Sequence, residues 1–278
     1  MSHAIISFPS LGIEINPPST LSLFGLDIHL YGLVIAAGFL LAVLYCAHRA
    51  PEFGLHSDHV YDVIIWALPI GIIGARTYYI LFNYGEFAGH PERFIQIWNG
   101  GLAIYGGIIA GVLTAVIVCK RKHVRIPAFL DMGCFGLLIG QLCGRWGNFF
   151  NREAFGSETT SFLRMGLTTA QGTIYVHPTF LYESLWNLVG FLALHFWTKK
   201  GRRAFEGQVF LLYILWYGLG RAWIEGLRTD SLYIGSTTLR VSQVLAIVSS
   251  LTAAILLIIL TYRAKQKKEP GQDPAENI

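Results

Sequence analysis

The chain has 278 residues, 53% of them hydrophobic and only 14% charged, with a formal net charge of +4. A soluble globular domain carries about 25% charged residues, so the composition excludes that class and predicts an all-α polytopic membrane protein in a lipid bilayer. No nucleic acid is expected as a partner, and the placement of the charges matters more than their small sum.

In chain order, residues 1–27 mix Phe8-Pro9, Pro17-Pro18 and short apolar patches, which predicts an ordered arm at the outer face. Met1 to Ser10 lack the basic n-region of a secretory signal peptide, so the first span is expected to act as its own targeting signal. Seven apolar segments follow, at about 28–47, 61–82, 100–119, 127–145, 178–197, 205–224 and 241–261. Each is near the roughly 20 residues needed to cross a bilayer. They predict a single seven-helix domain over 28–262, with outer loops at about 83–99, 146–177 and 225–240. The polar tail at 263–278 is expected to be disordered.

Lysine and arginine counts orient the spans. One set of alternate loops holds thirteen of them and the other set six. The richer set faces the cytoplasm by the positive-inside rule, which places the N-terminus outside and the C-terminus inside. No internal repeat is visible, which argues against many transporter folds. Cys46, Cys119, Cys134 and Cys143 fall in apolar segments at spacings that suit neither zinc nor a disulfide framework, and read as buried free thiols. Gly136, Gly140 and Gly144 on span four, and Gly107 and Gly111 on span three, predict close helix approach.

The chemistry-bearing stretch is Gly144-Arg145-Trp146-Gly147-Asn148-Phe149-Phe150-Asn151-Arg152-Glu153-Ala154-Phe155-Gly156. An apolar helix runs directly into two arginines, two asparagines and a glutamate at the outer surface. Arginine presents a planar fork of donors that matches phosphate or carboxylate, and the asparagines add neutral donors and acceptors. The alternatives are an interfacial anchor with helix caps and a site for an anionic headgroup.

Span six carries Tyr217, Arg221, Glu225 and Arg228 at spacings that share one helix face. Two arginines against one glutamate predict a positive surplus, unless Arg221 and Glu225 merely neutralise each other. Span five opens with His177-Pro178 and continues to Tyr182-Glu183. His177 suits a cap or a base, while Glu183 needs an arginine from span two, four or six, with Arg76 a candidate. Span one brings His29, Tyr31 and Gly32 to its outer end. Glycine pairs on both sides of Tyr105 predict a broken or closely packed helix start. Asp131 reads as structural.

The pattern G-R-x-G-N-F-x-N-x-E-x-x-G at 144–156 resembles the signature of bacterial prolipoprotein diacylglyceryl transferases. The likeness extends to Ile28-His29-Leu30-Tyr31-Gly32, Gly74-Ala75-Arg76, Gly100-Gly101-Leu102, His177-Pro178, Leu181-Tyr182-Glu183, the stripe from Tyr217 to Arg228, and Ser242-Gln243. It implies seven spans in the bacterial cytoplasmic (inner) membrane with the active site at the outer face. It also implies transfer of a diacylglyceryl group from phosphatidylglycerol to the lipobox cysteine of prolipoprotein signal peptides, leaving a thioether and glycerol phosphate. Arg145 and Arg221 match the arginines on which the family relies. Tyr31, Asn148, Gly156 and Tyr217 match other positions important for activity, with Asn151, Glu153, Glu225 and Arg228 nearby. The candidate catalytic residues are therefore Arg145, Arg221, Tyr105, Glu153 and Glu225, with binding or orienting lipid the alternative for Tyr105. The candidates for binding the headgroup and supporting the site are Tyr31, Asn148, Asn151, Gly156, Tyr217, Arg228, His177 and Arg76. Many members have histidine where this chain has Tyr105, and tyrosine, with a pKa near 10 against about 6.5 for histidine, is a poor base at neutral pH. No metal, nucleotide or other cofactor is implied. The competing classes are a flippase or transporter for an anionic lipid and a non-catalytic lipid-binding scaffold.

Overall fold

The computed structural model describes residues 4–23, 26–235 and 237–266. Helices dominate, and a long one lies on each apolar segment: α1 (Leu30–Arg49), α2 (Ser57–Phe82), then after the single turn α3 (Tyr84–Phe87), α4 (Ile104–Arg121), α5 (Ile126–Asn151), α6 (Thr179–Lys199), α7 (Gln208–Leu227) and α8 (Val241–Gln266). Among the described residues, five of these, α1, α2, α4, α5 and α8, are long and apolar enough to cross a membrane. The predicted spans five and six are the helices α6 and α7. They carry Glu183, Asn187, Arg221 and Glu225 along their length, which lowers their mean hydropathy. The tail prediction meets α8 up to Gln266 and otherwise lies outside the described residues.

The purely α-helical expectation is corrected by two sheets. β1 (Ile5–Phe8), β2 (Ile13–Ile15), β5 (Met165–Thr169) and β6 (Gly172–Val176) form an antiparallel sheet in the order β2-β1-β5-β6. β3 (Thr20–Leu23) pairs with β4 (Leu26–His29). The register sets Ile6 opposite Leu167. Alternation along β1 and the residue before it buries Ala4, Ile6 and Phe8, as the two-residue period of a strand dictates. These side chains close a core with Phe149, Met165, Leu167, Val176 and Phe180. The N-terminal segment is therefore half of a small domain shared with the loop after α5.

The chain divides into two compact units, Met1–Leu44 with Leu130–Ile278, and Tyr45–Phe129. In the first, α1 meets α5 through small residues. A Cβ added at Gly38 would stand 2.5 Å from Cys143 Cβ, one at Gly144 would stand 3.6 Å from Ile35 Cδ1, and one at Gly147 would stand 2.7 Å from the Tyr31 ring. α6 and α7 are stapled by Trp186 and Trp216, whose rings stack 4.4 Å apart. Each indole donates to the other's backbone carbonyl at 2.9 Å. Asp131 accepts from the N–H groups of Gly207 (2.8 Å) and Phe210 (2.9 Å) and so caps α7 from a neighbouring helix. In the second unit, α2 and α4 touch backbone to backbone at Gly74 and Gly106. A Cβ at Gly140 or Gly111 would meet nothing within 4 Å, so the four-residue glycine spacing overstates where helices approach. Cys46, Cys119, Cys134 and Cys143 are not in disulfides.

Candidate functional site

α5 continues to Asn151, two turns beyond the predicted end of its apolar segment. The first half of the motif is thus helical, and Arg145, Asn148 and Asn151 recur every three residues along one side of the last turns. Arg145 Nη2 donates to Glu183 Oε1 at 2.6 Å, and Nη1 donates to Asn148 Oδ1 at 3.3 Å. Arg221 Nη1 donates to the other Glu183 oxygen at 3.1 Å, and its Nη2 lies 2.6 Å from Glu225 Oε2. One carboxylate therefore bridges two guanidiniums from two helices. Glu183 and Glu225 are 3% and 2% exposed, whereas Arg145 and Arg221 retain 21% and 15%. Each guanidinium carries five N–H groups, so both keep donors for a further anion.

The predicted positive surplus is corrected by this geometry. Arg145 and Arg221 are matched by Glu183 and Glu225, and the local charge sums to zero. The surplus on α7 is removed as well, because Arg228 forks onto Asp230 with Nε–Oδ1 at 2.9 Å and Nη2–Oδ2 at 2.7 Å. That bond and charge hold the Asp230 carboxyl below its usual range. Burial would lower the Arg228 guanidinium, but Asp230, with Glu225 and Glu183, raises it. Aimed donors rather than net charge are what the cluster offers an anion, and donors fixed in advance are the effective kind.

Around this centre, Glu153 Oε1 accepts from Asn148 Nδ2 at 3.1 Å and from Asn151 Nδ2 at 3.2 Å. Tyr217 stands one turn below Arg221 on α7, stacked on Tyr213 at 5.9 Å. Arg240 Nη1 donates to the Glu225 carbonyl, and Gln243 Nε2 to that of Ala222 at 2.7 Å. Gly156, His177 and Arg228 form a second knot. Gly156 bridges to Arg228 in antiparallel fashion, and its N–H donates to the His177 carbonyl at 2.9 Å. The imidazole Nδ1 lies 3.3 Å from Tyr182 Oη, and burial pushes its pKa down. A Cβ at Gly156 would come within 2.7 Å of His177 Cβ and 2.9 Å of the Leu227 carbonyl, so the crossing needs glycine for space.

Arg76 and Tyr105 belong to the other unit. Arg76 donates to the carbonyls of Phe94 (3.0 Å), Gly100 (2.8 Å), Gly101 (2.9 Å), Gln96 (3.4 Å) and Arg93. All its donors are spent on that loop, and Glu183 takes its partners from α5 and α7 instead. Gly100 and Gly101 adopt φ of +84° and +76°, which breaks the chain just before α4. Tyr105 is 46% exposed in the first turn of α4.

Glu183 is the residue that the sequence underrates. Its need for an arginine was legible, but not that it would take two. Asp230 and Arg240 gave no signal, because their partners are set by the turn after α7. Arg152, counted with the convergent polar groups of the motif, points elsewhere: it is 4% exposed and bonded to the N-terminal segment.

Comparison with known proteins agrees with this arrangement. The family profile described as prolipoprotein diacylglyceryl transferase matches residues 18–259. Proteins named phosphatidylglycerol–prolipoprotein diacylglyceryl transferase from Streptococcus pyogenes serotype M5 (strain Manfredo), serotype M49 (strain NZ131) and serotype M1 are each 42% identical over 257 residues, covering 90% of this chain and 96% of theirs. A match of that length, on a helical chain with several helices apolar enough to cross a membrane, places this multi-pass transferase of lipoprotein biosynthesis in the prolipoprotein diacylglyceryl transferase family.

Proposed function

We propose that the chain transfers the diacylglyceryl group of phosphatidylglycerol to the lipobox cysteine of prolipoproteins at the outer face of the bacterial cytoplasmic membrane. All seven long helices cross the bilayer in this reading, with the N-terminus outside. The observation that carries the chemistry is the Glu183 bridge between Arg145 and Arg221. It holds two guanidiniums side by side with donors to spare, a fit for the phosphodiester of an anionic lipid. Charge-assisted bonds to the phosphate strengthen as the glycerol phosphate leaves. The cysteine sulfur bonds to the glyceryl carbon, the carbon–oxygen bond to phosphate breaks, and its electron pair departs with the leaving group.

The thiol proton must pass to a base, since thiolate is the nucleophile. Glu153, held by two asparagines, and His177, kept neutral by burial, are the free acceptors. Glu225 is committed to Arg221 and serves to hold it. Asn148 and Asn151 orient Arg145 and Glu153, Tyr31 and Tyr217 line the lipid path, and Gly156 and Arg228 fix the knot around His177. In the other unit, Tyr105 binds or orients lipid, and Arg76 holds the loop before α4.

The test is a transfer assay with purified protein, phosphatidylglycerol and a lipobox peptide, read by mass spectrometry. The expected result is a diacylglyceryl mass gain that disappears with a Cys→Ser peptide and with Arg145→Ala protein. A folded wild-type protein that binds the lipid but adds no mass would instead favour a lipid transporter or scaffold.

A further inference from the structure

The guanidinium of Arg152 is 4% exposed and meets no carboxylate among the described residues. Its Nε donates to the Ala4 carbonyl at 2.7 Å and its Nη1 to that of Phe150 at 3.0 Å. Its Nη2 donates to Asn16 Oδ1 at 2.8 Å and to the Pro17 carbonyl at 2.7 Å. Three of these four acceptors belong to the N-terminal segment, more than 130 residues away in sequence. Arg152 also adopts a left-handed conformation, with φ of 53°, and so does Ala154, with φ of 55°. Neither is glycine, and such positions persist only where surrounding contacts enforce them. Between the two lies Glu153, whose carboxylate takes both Asn148 and Asn151 and whose N–H donates to the Asn148 carbonyl at 3.1 Å. Asn148 in turn accepts from Arg145.

We infer that Arg152 is a positioning residue through which the N-terminal segment sets the catalytic end of α5, by the path Asn16 and Ala4, Arg152, Glu153, Asn148, Arg145. The clamp enforces the two left-handed turns, and these aim the Glu153 carboxylate back at the helix end rather than into solvent. A left-handed residue is common just past a helix end, closed here by the Glu153 N–H on the Asn148 carbonyl, but an L residue holds that φ less readily than glycine, and the clamp adds what the missing glycine does not. Tertiary bonds to the distant N-terminal segment thus reinforce what the helix end begins. The inference rests on the transferase reading for its kinetic consequence, but its structural core does not.

Asn16→Ala tests it from the far end of the path, since Asn16 lies on the N-terminal segment and outside the reacting groups. A hydrogen bond to a charged group is of the stronger kind, and part of its loss reaches the site. The expected result is a kcat roughly three- to tenfold lower, with KM for phosphatidylglycerol unchanged. Combined with Glu153→Gln, Asn16→Ala should lower kcat no further, because the path runs through Glu153. Arg152→Gly, which keeps left-handed φ accessible and removes only the guanidinium, should match or exceed Asn16→Ala. Hydrogen exchange at the Glu153 amide should quicken in both variants, a readout that needs no activity. Wild-type kcat in both variants, or the same loss from Asn16→Ala in the Glu153→Gln background, would overturn the proposal. So would an unchanged Glu153 exchange rate. Absence of transfer by the wild type would instead condemn the transferase reading and leave the exchange measurement to decide the clamp.

Discussion

At the scale of single residues, Glu183 is the pivot. A carboxylate 3% exposed beside two guanidiniums is stable because each charge has a directed partner. Breaking a buried pair by removing one member costs up to about 3–5 kcal/mol, reduced here because both arginines keep some exposure. Glu183→Gln should therefore lower the melting temperature and abolish most transfer, as Arg145 and Arg221 repel each other once uncompensated. Thermal unfolding and the mass-spectrometric assay check both, and full activity in this variant would remove Glu183 from the mechanism. His177 gives a pH signature. Burial lowers its pKa below the ordinary 6.5, so the unfolded chain holds the proton more tightly than the folded one. Stability is thus expected to fall as pH drops through about 6.5 towards the folded pKa, and to level off below it. Replacing His177 with Gln should flatten that slope in unfolding curves recorded between neutral and acidic pH.

Elements matter through their crossings. Gly156 sits where the strand-like segment after α5 passes the end of α7, and backbone atoms crowd the space a side chain would need. Gly156→Ala should shift that bridge, destabilise by about 1–3 kcal/mol as overpacking does, and cut transfer more than tenfold by moving His177 and Arg228. A rate near wild type would mean the crossing has room to adjust. The register of the helices was legible because lipid demands long apolar runs, and α1, α2, α4, α5 and α8 follow that demand. The sheet was not legible. β1 is four residues long and its partner β5 begins at Met165, so no local pattern announces the pairing. The same is true of Arg152, whose bonds run to Ala4, Asn16 and Pro17. Sequence proximity groups it with Arg145, and the left-handed turn at Arg152 separates them.

For the whole molecule, α6 and α7 decide how many helices cross. α6 and α7 are 21 and 20 residues long yet carry the ionised cluster. They are expected to cross because their charged groups pair with each other or with α5 and face inward, where an intramembrane charge is tolerated. Thr160 precedes α6 and Arg202 follows it. With the native cysteines replaced, Thr160→Cys should react with an impermeant maleimide added to intact cells, and Arg202→Cys only after permeabilisation. Labelling of both from outside would mean that α6 does not span and that the outer-face orientation is wrong.

The sequence by itself determined the helical segments, the charge asymmetry of their loops, the family pattern and the arginines within it. All of these follow from short-range constraints: the length of apolar runs, residue type, and spacing along one helix. Only the tertiary structure decided that Glu183 bridges Arg145 and Arg221, that Arg228 is spent on Asp230, and that Arg152 clasps the N-terminal segment. Which acceptor a guanidinium takes depends on which helices and strands lie beside it. That choice is made by packing between segments far apart in the chain, and a one-dimensional pattern does not contain it.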